Sequence, residues 1–168
     1  MRARYCVSTD IDLGVPVSRI QLALNVSDLD EAIAFYSKLL KSEPAKVRPG
    51  YANFAIDEPP LKLVLIEGGG VPGAINHLGI EVFSTDEVAE AARYLADAGV
   101  PTEVEDHTTC CYAVQDKVWV DGPDGARWEV YTVLADANDA DSLGGDERCC
   151  TSASVGVPVQ ASSSASCC

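Results

Sequence analysis

Apolar residues in the first half of the chain recur with two spacings, one typical of strands and one typical of helices. Residues 19–26 (RIQLALNV) alternate with a period of two, which predicts a strand with one apolar face. Residues 29–40 place apolar side chains at helical spacing after a Ser-Asp pair that can cap a helix. Three short strand-like segments follow at residues 45–48, 51–56 and 61–66, separated by Pro-Gly and Glu-Pro-Pro turns.

The second half of the chain repeats this order. Residues 75–83 (INHLGIEVF) alternate as a strand, and residues 88–99 form a predicted helix that ends at a glycine. Strand-like segments follow at residues 102–106, 112–120 and 126–133, the last two joined by a DGPDG turn. Each half therefore has the order βαβββ, which indicates an internal duplication.

The duplication predicts an α+β fold. We expect one domain at residues 18–134, with modules at about 18–67 and 74–134 that form a half-open mixed β-barrel cup with flanking helices. Residues 1–17 are predicted to be a peripheral N-terminal segment. Residues 135–168 lose all periodicity and are rich in Ala, Asp, Ser and Gly, so we predict a disordered tail.

The charge of the chain limits its partners. The formal net charge is −14 and the pI is about 4.3, which disfavours nucleic acid and anionic membrane surfaces because both need a basic face. The longest apolar runs, such as LKLVLI, are far shorter than the roughly 20 residues that span a bilayer. The N-terminus has no apolar stretch typical of a secretory signal, so we expect a cytoplasmic protein.

The cysteines are mostly arranged in adjacent pairs. Seven are present, at positions 6, 110–111, 149–150 and 167–168. A disulfide between neighbours closes almost no loop and strains the backbone, so these are not a disulfide framework. In a reducing cytosol we expect the thiols to bind a ligand or to react. Two small buried apolar residues are the alternative interpretation of Cys110 and Cys111.

Three polar side chains interrupt the strands on the face that does not pack against the helices. Gln21, His77 and Glu129 each alternate with apolar neighbours. If the modules form one cup, an amide oxygen, an imidazole nitrogen and a carboxylate converge there. Such a set suits a divalent first-row metal with open coordination positions. Taken singly, each residue could equally be an ordinary hydrogen-bonded or exposed side chain.

The paired modules, NHLGIEV around His77 and VDGPDGARWEVYTV around Glu129 together resemble the vicinal oxygen chelate superfamily, the fold of glyoxalases, bleomycin-resistance proteins and extradiol dioxygenases. The resemblance covers residues from about 18 to 134. It implies metal ligands on the first and last strands of each module, which correspond to Gln21, His77 and Glu129. The strand LKLVLI offers no evident fourth ligand, and three protein ligands are more similar to the iron-dependent dioxygenases.

The stretch HTTCCYAVQDKVWV resembles the carbon–arsenic lyase branch of that superfamily. The resemblance implies Fe(II) held by Gln21, His77 and Glu129, with O2 as co-substrate. It implies that Cys110 and Cys111 are the catalytic pair that binds arsenic. The implied reaction cleaves the carbon–arsenic bond of a trivalent methyl- or aryl-arsenical and releases arsenite. Gln21 departs from the pattern, since histidine is more familiar at that position.

Vicinal thiols suit this substrate because trivalent arsenic prefers sulfur to oxygen. Consecutive side chains of a regular strand point to opposite faces, so both sulfurs reach one arsenic only if the backbone at 107–112 is a loop or bulge. We expect this segment to be mobile and to close over the substrate. A nearby positive group would favour the thiolate, and His107 and Lys117 are the local candidates.

Two other functions fit the same residues. One is a non-catalytic thiol protein that sequesters arsenic or cadmium, which would need neither iron nor oxygen. The other is a glyoxalase-type isomerase using Ni or Zn, which needs no vicinal thiols and usually has a fourth ligand. Since both modules lie in one chain, a monomer can hold a complete site, and a homodimer is also compatible with the sequence.

Overall fold

Eight strands and two helices make up the part of the chain that the computed structural model describes, residues 18–137. In chain order these elements are β1 (Arg19–Val26), α1 (Leu29–Leu40), β2 (Lys46–Arg48), β3 (Tyr51–Ile56), β4 (Leu61–Glu67), β5 (Ile75–Glu81), α2 (Thr85–Asp97), β6 (Glu103–Cys110), β7 (Ala113–Asp121) and β8 (Arg127–Asp136). The predicted order of two βαβββ modules is confirmed.

All eight strands form one mixed sheet with the order β2-β3-β4-β1-β5-β8-β7-β6. In each module the first and last strands pair in parallel, β1 with β4 and β5 with β8. The modules join where β1 and β5 pair antiparallel. The sheet curls into a half-barrel with both helices outside it, which confirms the predicted α+β cup.

Both helices begin at side-chain caps. Asp28 accepts a hydrogen bond from the backbone nitrogen of Glu31 at 2.8 Å, and Ser84 accepts one from Glu87 at 3.2 Å. These bonds satisfy backbone donors that a helix start leaves open. Because Ser84 is the cap, α2 begins at Thr85, about one turn before the predicted residue 88.

The two faces of the sheet are packed differently. On the helix side, Leu29 of α1 packs against Phe54, Leu63 and Leu65 of β3 and β4. On the concave side, a smaller apolar cluster of Ala23, Tyr51, Val64 and Ile66 is accompanied by buried polar side chains. Burying polar side chains costs free energy, so a cluster of them suggests a functional role. We therefore expect the site on the concave face.

Two boundaries differ from the prediction. β6 continues to Cys110 rather than ending at residue 106, and β8 continues to Asp136, two residues past the expected domain end. The predicted peripheral segment 1–17 and the predicted tail from residue 138 onward lie outside the described residues. Neither α1 nor α2 is long and apolar enough to cross a membrane, and they are the helices of the described chain.

Candidate active site

The three predicted metal-binding side chains meet at one point on the concave face. Nε2 of Gln21 lies 3.0 Å from Nε2 of His77 and donates to Oε1 of Glu129 at 2.7 Å. His77 Nε2 and Glu129 Oε1 are 3.4 Å apart. All three residues are buried, and they come from β1, β5 and β8, three neighbouring strands of the sheet. The curled sheet therefore brings together residues that are far apart in sequence.

A glycine lets these side chains approach one another. Gly79 pairs with Gln21 on one side and with Glu129 on the other. A Cβ at Gly79 would lie 3.2 Å from Cβ of Gln21 and 3.2 Å from Cγ of Glu129. This spacing is tighter than ordinary carbon contacts, so any larger residue would push the donors apart.

Glu129 is balanced by a buried cation. Lys117 of β7 donates to Oε2 of Glu129 at 2.9 Å, and the exposed fractions of the two residues are 1% and 3%. Burial alone would raise the pKa of Glu129, but the neighbouring positive charge of Lys117 and its hydrogen bond outweigh burial and hold that pKa below its ordinary value. The carboxylate is therefore ionised at neutral pH, with Oε1 directed toward Gln21 and His77.

The orientation of His77 is set by its neighbour. Asn76 donates its amide hydrogens to Oδ1 of Asn25 at 2.9 Å and to the carbonyl oxygen of Gly69 at 3.3 Å, which fixes its own oxygen as an acceptor. That oxygen lies 2.8 Å from Nδ1 of His77, so the ring proton belongs on Nδ1. The lone pair of Nε2 then faces the convergence point, as a metal ligand requires.

Gln21 is held at the other end by a phenol. The hydroxyl of Tyr131 donates to Oε1 of Gln21 at 2.5 Å. Burial raises the pKa of Tyr131 well above its ordinary value, so the hydroxyl stays protonated. A half-turn of the amide would exchange its oxygen and nitrogen, with the NH2 then donating to the hydroxyl oxygen. Tyr131 accommodates both orientations, and the second turns the amide oxygen toward His77 and Glu129.

The donor set fits a divalent metal. A nitrogen, a carboxylate oxygen and an amide oxygen can converge here, and these are ligands that first-row metals accept. Within residues 18–137, no cluster of three or more His, Cys, Asp or Glu side chains could hold a metal ion. Two of the three donors are of those types, so the fit depends on the amide of Gln21.

The two thiols lie at the tip of the β6–β7 hairpin. Cys110 is the last residue of β6 and pairs with Ala113, so Cys111 and Tyr112 form a two-residue connection. Both connecting residues have positive φ, 51° and 64°, as the tight turns of hairpins require but as few residues other than glycine adopt. Neither cysteine is in a disulfide, and the two sulfur atoms are 3.4 Å apart. The turn therefore directs two consecutive sulfurs to one point.

A bulge in β6 decides which face Cys110 occupies. Glu105 pairs with Lys117 but Thr108 pairs with Gln115, so β6 has one residue more than β7 at this position. His107 lies in this bulge with φ of 50°. Because side chains of a strand point to alternate faces, one extra residue moves every later side chain of β6 to the opposite face of the sheet. Without the bulge, Cys110 would face the helices instead of the cup.

The bulge is fastened to the sheet by Asp116. Its carboxylate accepts hydrogen bonds from the backbone nitrogen of His107 at 2.7 Å and from the hydroxyl of Thr85 at 2.5 Å. The imidazole of His107 also contacts Asp116, and its side chain is 76% exposed. His107 is thus part of the bulge, whereas Lys117 lines the cavity of the thiols, as does Lys62.

The predicted departure from regular strand at residues 107–112 is confirmed in two places, the bulge and the turn. Thr108–Cys110 between them remain paired with β7, so the segment is a bulge followed by a turn. The turn also contacts the first module, where the hydroxyl of Tyr112 donates to the carbonyl oxygen of Pro49 at 3.0 Å and its ring packs against Tyr51. The hairpin tip therefore crosses the open side of the cup.

The thiols and the convergent donors line the same cavity, whose space is about 310 Å³ including its opening. Its walls are formed by Gln21, Tyr51, Lys62, Val64, His77, Cys110, Cys111, Gln115, Lys117, Trp119 and Glu129. All five residues that the sequence predicts as site residues line this cavity. The sequence does not predict the roles of Gly79, Asn76 and Tyr131, because these roles depend on contacts with residues of other strands.

Comparison with known proteins agrees with this architecture. The model of the Glyoxalase/Bleomycin resistance protein/Dioxygenase superfamily matches residues 19–130. An extradiol ring-cleaving dioxygenase from B. fuscum has a similar fold, with a TM-score of 0.52 and 21% identity over 71% of this chain and 34% of that one.

Two curated relatives are more similar in sequence. The "Cadmium-induced protein CadI" of Mycobacterium tuberculosis H37Rv is 66% identical over 122 residues, which cover 72% of this chain and 80% of the relative. The "Trivalent organoarsenical cleaving enzyme" of Thermomonospora curvata is 57% identical over 149 residues, which cover 86% of this chain and 98% of the relative. The chain therefore belongs to the Glyoxalase/Bleomycin resistance protein/Dioxygenase superfamily, in the branch that contains these two relatives.

Proposed function

We propose that this protein is a carbon–arsenic lyase that cleaves trivalent organoarsenicals, with Fe(II) as its metal and O2 as co-substrate. The observation that carries the proposal is the shared cavity, which is lined by two adjacent reduced cysteines and by the convergent Gln21, His77 and Glu129. The name of the Thermomonospora curvata relative supports the same substrate class.

The thiol pair is the substrate-binding element. In a trivalent arsenical RAs(OH)2, two thiols displace both hydroxyl groups as water and leave the carbon–arsenic bond as the third. Cys110 and Cys111 already hold their sulfurs 3.4 Å apart, so little conformational freedom is lost when arsenic bridges them. The second sulfur bonds within the same molecule, which raises its effective concentration.

The surrounding side chains orient and shield the reacting bond. Gln21, His77 and Glu129 would hold Fe(II), which when bound supplies oxygen activation. The ring of Trp119 packs edge-on against His77, with centroids 5.5 Å apart, and Lys117 lies over the same indole. This wall keeps water from His77 and fixes the imidazole plane. For methylarsonous acid the overall reaction balances as CH3As(OH)2 + O2 giving As(OH)3 and formaldehyde, so arsenite is released and O2 oxidises the methyl carbon. A cytoplasmic location, where thiols stay reduced, is part of the proposal.

The proposal is tested by separating arsenic binding from metal binding. Cys110→Ser and Cys111→Ser should each lose arsenite release from methylarsonous acid while keeping the Fe(II) content of the wild type, measured by elemental analysis. The matched control is Cys149→Ser with Cys150→Ser, a second adjacent pair, which should keep full activity. Undiminished arsenite release by both single variants would contradict the assignment of Cys110 and Cys111 as the arsenic-binding pair. A protein that binds arsenic with both thiols and releases none would instead be a sequestering protein.

A further inference from the structure

The turn between β6 and β7 holds the sulfur atoms of Cys110 and Cys111 close enough to react with each other. They lie 3.4 Å apart, and a disulfide bond is about 2.0 Å long, so an approach of about 1.4 Å would join them. Consecutive side chains of a strand point to opposite faces, so this proximity is a property of the turn, in which Cys111 has a φ of 51°. Arsenic binding uses the same proximity, but a reaction between the two sulfurs needs no arsenic.

The two thiols differ in how a reagent can reach them. Cys110 is 6% exposed and lines the narrow cavity that also holds the convergent donors. Cys111 is partly exposed and lines both that cavity and an adjoining one, which contains about 630 Å³ including its opening. A small reagent therefore meets Cys111 first, and the sulfur of Cys110 is then in position to react with the product.

A disulfide between these neighbours would be easily reversed. Consecutive Cα atoms are about 3.8 Å apart across a trans peptide, whereas the residues of ordinary disulfides are about 4.4–6.8 Å apart. A disulfide between adjacent residues is therefore strained, and strained disulfides are readily reduced again. It also closes almost no loop, so it adds little stability. These properties suit a switch rather than a structural link.

Joining the sulfurs would remove the groups that bind arsenic and leave the metal-binding side chains unchanged. Each thiol displaces one hydroxyl group of RAs(OH)2, so both must be reduced for the substrate to be held. Gln21, His77 and Glu129 contain no sulfur and lie on β1, β5 and β8, outside the hairpin. Oxidation of the pair therefore acts on substrate binding alone.

We propose that Cys110 and Cys111 form a reversible disulfide with each other by exchange with a low-molecular-weight disulfide, RSSR, and that this bond switches off arsenic binding. The Cys111 thiolate attacks one sulfur of RSSR, forms a mixed disulfide and releases RS⁻. The Cys110 thiolate then attacks the Cys111 sulfur and releases the second RS⁻. Two protein thiols are oxidised, RSSR is reduced to two RSH, and the two thiol protons pass to the released thiolates. The effect on arsenic binding rests on the proposed function, whereas the disulfide itself does not.

Intact mass measurement tests the exchange in the full-length chain with serine at the other cysteines, residues 6, 149, 150, 167 and 168. Bis(2-hydroxyethyl) disulfide is added under argon, and acid stops the reaction. The parent chain should lose two hydrogen atoms, carry no adduct, and regain both hydrogens when a phosphine reduces it. Peptide mapping of the oxidised wild type should locate the same bond without any substitution.

Single variants of that chain test the order of attack. Cys110→Ser should keep one hydroxyethylthio adduct on Cys111, because no second thiol displaces it. Cys111→Ser should react at least about tenfold more slowly, because the remaining thiol of Cys110 is buried. Labelling of Cys111→Ser as fast as that of Cys110→Ser would contradict the order of attack.

Arsenic binding before and after oxidation tests the switch. Trivalent phenylarsonous acid is titrated under argon without iron, and binding is followed by tryptophan fluorescence, since Trp119 lines the cavity. Oxidation should weaken binding at least about a hundredfold, because neither sulfur can then bind arsenic, and reduction by the phosphine should restore it. The affinity for Fe(II), measured by calorimetry, should be the same in both forms.

A parent chain that accumulates the mixed disulfide, or that stays reduced while Cys110→Ser is labelled, would overturn the proposal. Oxidised protein that binds phenylarsonous acid like the reduced form would also overturn it. The exchange is measured without arsenical, iron or oxygen, so it is independent of arsenite release. A pair that oxidises reversibly in a protein that releases no arsenite would keep the disulfide and lose the lyase proposal. Normal release by a protein whose pair stays reduced would do the reverse.

Discussion

Glu129 is a buried carboxylate whose charge is balanced by a single neighbouring lysine and shared with the candidate metal ligands. Lys117 reaches it across the β7–β8 pairing, where Trp119 and Glu129 are direct partners. Buried pairs of this kind contribute little when intact, but removing one partner leaves an uncompensated charge. The pair therefore keeps Glu129 ionised where a cation is to bind.

Replacing Lys117 by methionine should lower the free energy of unfolding by about 3–5 kcal/mol, because Glu129 loses its buried partner. A divalent metal should restore part of the loss, so Fe(II) should raise the melting temperature more in the variant than in the wild type. Denaturant unfolding with and without metal measures both effects. The control is Lys62→Met, which breaks the less deeply buried pair with Glu81 and should cost less. Equal stability of Lys117→Met and the wild type would contradict this account.

Gly79 makes the convergence of the donors possible without supplying a donor itself. Gly79→Ala should lower stability by about 1–3 kcal/mol through overpacking and should reduce metal affinity, because its Cβ presses on Gln21 and Glu129. Calorimetric titration with Fe(II) under argon checks the affinity. Gly122→Ala is a matched control, since its Cβ would meet the carbonyl oxygen of Ala126 at the same 3.2 Å away from the site. Equal metal affinity in the two variants would refute the role given to Gly79.

Individual site residues differ in how far the sequence predicts them. Gln21, His77 and Glu129 could be predicted because each is a polar residue that interrupts an apolar alternation. Cys110 and Cys111 are conspicuous because they are adjacent. Gly79, by contrast, is one of 13 glycines, and its importance comes from lying between two other strands. Such cross-strand neighbours are defined only once strand order and register are known.

At the level of elements, the β6–β7 hairpin controls the thiol pair. The bulge at His107 directs the Cys110 side chain to the concave face of the sheet. The turn at Cys111 then places the second sulfur beside the first. Asp116 links the bulge to the start of α2 through Thr85. The placement of the thiol pair therefore depends on a carboxylate that faces the helices and does not line the cavity.

Asp116→Asn should weaken the bulge and reduce affinity for phenylarsonous acid several-fold, with a stability loss of about 1–3 kcal/mol from weakened charge-assisted hydrogen bonds. The exposed neighbour Asp106 provides the control Asp106→Asn, which should change neither quantity. Fluorescence titration and denaturant unfolding measure them. An Asp116→Asn variant that binds arsenic like the wild type would show that the bulge does not need this carboxylate.

The contribution of Asp116 should also depend on pH. Burial would raise its pKa, but the hydrogen bonds from Thr85 and His107 outweigh burial and hold the pKa below the ordinary value of 3.8. The folded state therefore favours the ionised form. Its stabilisation is fully present above pH 3.8 and is lost as pH falls through the lowered folded pKa. The stability difference between wild type and Asp116→Asn should be constant near neutral pH and shrink in strong acid.

Elements could be predicted from the sequence where a single period holds from end to end. The strand at 19–26 and the helix at 29–40 agree with β1 and α1 to the residue. β6 was predicted too short because the bulge interrupts its alternation, so Thr108–Cys110 continue the strand out of phase. A period-two pattern cannot contain this information, since the extra residue is defined only relative to β7.

On the scale of the whole molecule, the site needs both modules. The first supplies Gln21 from β1, and the second supplies His77, Glu129 and the hairpin. The hairpin tip in turn contacts the first module through Tyr112 and Pro49. All five residues of the candidate site lie in this one chain, and the sufficiency of a monomer stays a prediction. The duplication could be predicted because it repeats a local pattern, whereas the curl that closes the cup depends on how the two modules pair.

The most direct test of the lyase proposal counts arsenite molecules released per protein molecule. Protein purified under argon is given Fe(II), air and a large excess of methylarsonous acid, and arsenite is separated and quantified over time. The account predicts many equivalents per chain, with none when either iron or oxygen is withheld. One equivalent or less, the same with or without iron and oxygen, would contradict catalysis.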